Sequence, residues 1–168
     1  RHFASPPTIN PTLNSFCGYW SVWWSWWCSQ WSLPHGGASK NDYEFLLPLI
    51  KSASSPDAYG HFGDVGAGHF AKMVHNGIEY GMMEAIAEGA AVLKKSSFNI
   101  NLPEVFRVYN NRSVIESRLV GWTQEALQED PNLTNIASKI SASGEGEWTV
   151  KTAKELGVDV PIIQQSLT

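Results

Sequence analysis

The chain has 168 residues, 43% of them hydrophobic, enough for one domain with a real core or for one domain and a piece of a second. Its 12 Lys and Arg against 16 Asp and Glu leave a net charge of -4, and the basic residues are scattered, so there is no basic footprint for a nucleic-acid backbone. Cys17 and Cys28 form neither a disulfide framework nor a metal-ligand spacing, no apolar run is as long as a membrane span, and the opening residues lack the plan of a signal peptide, so the cytosol is the default compartment.

Residues 1–37 and 38–168 differ in character. The first stretch holds six of the eight tryptophans, at 20, 23, 24, 26, 27 and 31. From Ser39 onward the apolar pattern predicts a helix from about Asn41 to Ser52, with Pro48 as its weak point, then a short extended piece at Tyr59–Phe62 and a long helix from Ala67 to Lys95. The intervening Gly63-x-x-Gly66-x-Gly68 run departs from G-x-G-x-x-G and reads as a turn entering that helix, not as a phosphate cradle. Further helices are predicted over Pro103–Tyr109, over Val114–Gln128, over Pro131–Lys139 with Asp130 as N-cap, and over Thr149–Leu156 with Gly157 as the stop. The C-terminal part of the chain is therefore expected to be all α. No internal repeat is present at a useful period.

The long helix carries the most informative spacing. Lys72, His75, Asn76, Glu79 and Tyr80 recur at intervals of three and four, which puts all five on one helical face while Met73, Val74 and Ile78 look mostly elsewhere. A lysine and a carboxyl in one partly dry cleft can serve as base and acid, because desolvation lowers the pKa of the first and raises that of the second. Such a pairing suits the removal and return of protons around an oxidation. The same spacing also fits a solvated polar face with a Lys72–Asn76–Glu79 hydrogen-bonding chain and no chemistry.

The run GAGHFAKMVHNGIEYGMMEAIAEG, residues 66–89, resembles the signature of the decarboxylating 6-phosphogluconate dehydrogenases. NRSVIESRLVG, Asn111 to Gly121, and SGEGEWTVKTAKELGVDVPII, Ser143 to Ile163, are similar to matching stretches of the shorter bacterial form of that family. Together the resemblance covers about Ser39 to Thr168. It implies that Lys72 is the general base that takes the proton from the C3 hydroxyl of 6-phosphogluconate, and that Glu79 is the general acid that protonates the enediol left after carbon dioxide departs. His75 and Asn76 would hold substrate hydroxyl and carboxylate groups, and Tyr80 would contact the phosphate. The implied cofactor is NADP or NAD, with no metal. The implied partners are 6-phosphogluconate and, in the intact parent, a second subunit of a homodimer, with no nucleic acid and no membrane. Two departures bear on the phosphate. Glu147 stands where the shorter form usually has a basic residue before the tryptophan, and the chain stops at Thr168, short of an arginine that the family places a few residues further on.

The resemblance implies a mainly α fold: an all-helical C-terminal domain of a 6-phosphogluconate dehydrogenase, residues 65–168 and truncated at its C-terminus, with residues 1–64 a damaged remnant of the N-terminal Rossmann-like α/β domain. The chain begins with Arg1 and reads as a fragment, expected to be inactive by itself. In the family a Gly-Val-Ser-Gly-Gly motif precedes the long helix, where this chain has Trp20-Ser-Val-Trp-Trp-Ser-Trp-Trp-Cys-Ser-Gln-Trp31. Tryptophan has the single codon TGG, so reading one base later turns every tryptophan into glycine and gives the family's glycine spacing with one extra glycine. Residues 14–36 accordingly read as an out-of-frame translation of the motif strand and loop. Two other readings stay open. One is another β-hydroxyacid dehydrogenase, such as one acting on hydroxyisobutyrate, which would share Lys72 and Asn76 but has no need of Glu79. The other is a non-catalytic module in which a genuine tryptophan cluster binds carbohydrate or a membrane surface on a helical scaffold.

Overall fold

The computed structural model describes residues 35–133 and 144–168. Most of the tryptophan-rich stretch and the greater part of the helix expected over 131–139 lie outside the described residues. The described residues are mainly helical, and the chain divides into two compact units, residues 1–75 and 76–168.

The first unit holds strand β1, His35–Gly37, helix α1, Lys40–Ala53, and strand β2, Gly60–Gly63. The two strands pair in parallel, His35 opposite Gly60 and Gly36 opposite His61, with an irregularity before Gly37 meets Gly63. Parallel neighbours need a crossover, and α1 supplies it, so the three elements form a small β-α-β unit. Ser39 starts α1: its hydroxyl oxygen accepts the Asp42 amide at 3.2 Å and its hydroxyl donates to the Asp42 carboxylate at 2.7 Å. The helix passes through Pro48, which removes one amide from the ladder; Glu44 and Pro48 are both exposed, so water can reach the affected turn. Ala38 and Ile50 are buried. The His61 ring donates from Nε2 to the Ala38 carbonyl at 2.7 Å, and the Tyr43 ring lies 5.1 Å from it. Burial, with Tyr59 nearby, holds the Tyr43 hydroxyl above its ordinary pKa.

The long helix α2 runs Ala67–Lys95, with the bounds that the periodicity predicts. It is entered through a glycine turn: Gly63 and Gly66 have φ of 133° and 98°, values that a side chain disfavours, and the Ala67 amide donates to the Asp64 carbonyl at 3.0 Å. From Asn76 onward α2 belongs to the second unit, with α3 at Leu102–Tyr109, α4 at Arg118–Glu129, α5 at Glu145–Glu155 and α6 at Pro161–Gln165. The core there is Ala90 of α2, Leu102 and Phe106 of α3, and Val120 and Leu127 of α4, with Ile86, Leu93, Ile100, Tyr109 and Leu133 packed around them. Burying a side chain the size of Leu127 contributes about 1.5–3 kcal/mol, so these few residues hold α2, α3 and α4 together.

Three expected helix bounds move. The helix expected from Val114 begins at Arg118, because the Ser117 hydroxyl oxygen caps the Val120 amide at 3.2 Å. Upstream, Arg112 sits at a φ of 61° and its amide donates to the Glu116 carboxylate at 2.7 Å, a turn that leaves Val114 in solvent. Asp130 does not start a helix at Pro131. It ends α4, its amide donating to the Ala126 carbonyl and its carboxylate accepting the Asn132 amide at 3.3 Å. The helix expected from Thr149 begins at Glu145, where Gly144 at a φ of 97° turns the chain, and Gly157 at 70° ends it. The short α6, opened by Pro161, was not expected.

Candidate active-site helix

All five residues of the expected stripe lie on α2, and each is half-buried. In the first unit Lys72 and His75 stand one turn apart, with Lys72 Nζ 3.3 Å from His75 Nδ1. An ammonium can only donate, so while Lys72 is charged Nδ1 must accept and the imidazole proton must sit on Nε2, at the other side of the ring. A neutral amine at Lys72 would instead accept from a protonated Nδ1. The contact thus ties the direction of the Lys72 side chain to the tautomer of its neighbour His75.

In the second unit Asn76, Glu79 and Tyr80 follow on the same helix, and α5 decides how closely it can be approached. A β-carbon at Gly77 would lie 2.7 Å from Thr149 Cγ2 and 2.9 Å from Thr149 Cβ, so only glycine lets Thr149 seat against α2. The converse holds at Gly146, where a β-carbon would lie 3.0 Å from Cδ2 of the Tyr80 ring and 2.7 Å from Leu167 Cδ2. Gly81, one turn beyond Gly77, faces Ile162 of α6 at an ordinary 3.5 Å. The sequence pointed to the polar residues and passed over Gly77, Gly146 and Thr149. The available signal was glycine inside a strong helical pattern, which costs helix stability and so usually marks a close contact.

Other groups are less suited to chemistry. A cavity of about 400 Å³ in the second unit has a mostly apolar wall that includes Met82, Ile86, Phe106 and Val120, with Glu116 and Ser117 among its polar lining. Among the described residues no three or more His, Cys, Asp or Glu are grouped to hold a metal ion, and no helix is long and apolar enough to cross a membrane.

Residues 68–168 match the family model of the 6-phosphogluconate dehydrogenase C-terminal domain, and the chain belongs to that family. A protein of Bacillus subtilis, provisionally named a 6-phosphogluconate dehydrogenase, YqeC, is 44% identical over 131 residues, which are 78% of this chain and 44% of that one. The NAD(+)-dependent, decarboxylating 6-phosphogluconate dehydrogenase of Haloferax volcanii is 40% identical over 127 residues, 74% of this chain and 42% of that one. Among solved structures, a Plasmodium falciparum 6-phosphogluconate dehydrogenase, described in apo form and with NADP+ and 6-phosphogluconate, is similar at a TM-score of 0.66 and 31% identity, over 78% of this chain and 30% of that one. The chain therefore spans less than half the length of these relatives.

The dinucleotide named for those relatives finds no cradle in the described residues. At the start of α1 the Ser39 side chain takes the Asp42 amide, and Asp42 itself would repel a phosphate. At the start of α2 the space is filled by backbone, since a β-carbon on Gly37 would stand 2.5 Å from the Gly68 nitrogen and 2.8 Å from that of Ala67. Neither helix start presents the open amides that a pyrophosphate requires.

Proposed function

We propose that this chain carries the substrate-binding and acid–base helix of a decarboxylating 6-phosphogluconate dehydrogenase, within a mainly helical part, residues 65–168, that follows the edge of an α/β domain, residues 1–64. The observation that carries this is α2 itself, unbroken from Ala67 to Lys95 and bearing every group of the stripe in a chain of this family. Lys72, directed by His75, takes the proton of the substrate's C3 hydroxyl as that carbon is oxidised. The resulting β-keto acid loses carbon dioxide, and Glu79 gives a proton to the enediol at what becomes C1 of ribulose 5-phosphate. His75 and Asn76 hold hydroxyl and carboxylate oxygens, and Tyr80 contacts the phosphate. Mounting the groups at intervals of three and four along one helix lowers the entropy lost in positioning them. The hydride acceptor, NAD or NADP, is named for relatives of both kinds, and the described residues of this chain give it no cradle. A parent dimer and a cytoplasmic location belong to the same proposal.

The reading is tested by titrating the chain with 6-phosphogluconate and, separately, with 3-hydroxyisobutyrate, using calorimetry. Saturable binding of the first, weakened about tenfold or more by Asn76→Ala, is the expected result. Equal or better binding of hydroxyisobutyrate would move the assignment to another β-hydroxyacid dehydrogenase, and binding of neither would remove it.

A further inference from the structure

We infer that Thr149 is a positioning residue for the substrate face of α2, acting through a reciprocal pair of glycine contacts between α2 and α5. The inference rests on the reading of Asn76, Glu79 and Tyr80 as substrate groups. On α2, Gly77 is a hole and Tyr80, three residues on, is a knob; on α5, Gly146 is a hole and Thr149, three residues on, is a knob. Thr149 seats over Gly77 and Tyr80 seats over Gly146. One such contact would leave a helix able to turn about it, whereas two at one helical turn's separation resist both rotation and sliding. Asn76 immediately precedes Gly77 and Glu79 immediately precedes Tyr80, so any rotation of α2 under these contacts moves both groups.

Thr149 suits this task better than direct contact with a ligand. It is 4% exposed, and its hydroxyl donates to the Glu145 carbonyl of its own helix at 3.0 Å. That bond, with a β-branched side chain that has little χ1 freedom, fixes the end of Thr149 that faces Gly77, where a β-carbon would lie 2.7 Å from Cγ2 and 2.9 Å from both Cβ and Oγ1. The part of Thr149 that matters is then its shape, and the hydroxyl serves to hold that shape in place.

The test uses the whole chain, with 6-phosphogluconate as the probe and calorimetry as the readout. Gly77→Ala is expected to weaken binding about tenfold or more, and Gly77→Ala with Thr149→Gly, which exchanges hole and knob, to return it to within about threefold of wild type, a coupling that two independent substitutions do not show. Thr149→Val, which keeps the shape and drops the hydroxyl, should bind within about threefold of wild type. A folded Thr149→Val chain that loses binding, or a Gly77→Ala chain that binds normally, overturns the inference. If the wild-type chain binds no 6-phosphogluconate, the substrate reading fails, and the contact pair is then judged by NMR. A nuclear Overhauser effect from the Tyr80 ring to Gly146 that is lost in Gly77→Ala and regained in the double variant supports the pairing. Its persistence in Gly77→Ala, or its absence in wild type, overturns it.

Discussion

Gly37 approaches Gly68 so closely that a β-carbon at position 37 would stand 2.5 Å from the Gly68 nitrogen. The contact joins the end of β1 to the first turn of α2, and the atoms on the far side are backbone, which cannot swing aside as a side chain can. Gly37→Ala should therefore open the first unit, at a cost of about 1–3 kcal/mol or more. Amide exchange at Ala38, whose N–H donates to the Gly63 carbonyl at 3.1 Å, reports it directly. Unchanged protection there would show that β1 does not depend on this approach.

Three glycines of α2 make an internal comparison. A β-carbon at Gly89 would meet nothing within 4 Å, one at Gly81 would make ordinary contact with Ile162, and one at Gly77 is blocked by Thr149. In a helix interior alanine is favoured over glycine by about 0.8–1.0 kcal/mol, so Gly89→Ala should stabilise the second unit by up to that amount. The same gain at Gly77 is set against overpacking of about 1–3 kcal/mol, and Gly77→Ala should be net destabilising. Urea unfolding of the two variants gives opposite shifts in midpoint if the close approach is as described.

Leu127 is fully buried in the cluster with Phe106 and Val120, and Leu127→Ala should destabilise the second unit by about 2–5 kcal/mol. Val114, one of the apolar residues that the sequence assigned to a helix, stands in solvent at 104% exposure, and Val114→Ala should leave the melting midpoint nearly unchanged. Equal losses at the two positions would mean that the segment around Val114 packs against the core.

The Glu104 carboxyl is held below its ordinary pKa, first by the hydrogen bonds from Arg107, at 2.8 and 2.6 Å, and further by the guanidinium's charge. A depressed carboxylate pKa stabilises the fold above its unfolded value, and that contribution is lost as pH falls through the folded value. The pair is exposed, so the effect on stability is small and salt-sensitive. NMR titration should give Glu104 a midpoint below that of an ordinary glutamate, rising toward it in Arg107→Gln.

What was legible in the sequence is what local chemistry specifies. The bounds of α2, the strand before it and the glycine turn between them follow from periodicity and from positive φ, both set within a few residues. The stripe from Lys72 to Tyr80 is legible for the same reason, as is the family that its motif resembles. The misplaced helix starts near Val114, Asp130 and Thr149 are competitions between neighbouring caps. Ser117, the α4 terminus and left-handed Gly144 win them once their flanking turns are packed. Tertiary structure alone decided which glycines are needed and what they face. Gly77 and Thr149, or Gly146 and Tyr80, lie far apart in the chain, and a side chain's fit into a hole on another helix is a matter of shape in three dimensions that no spacing along one helix encodes.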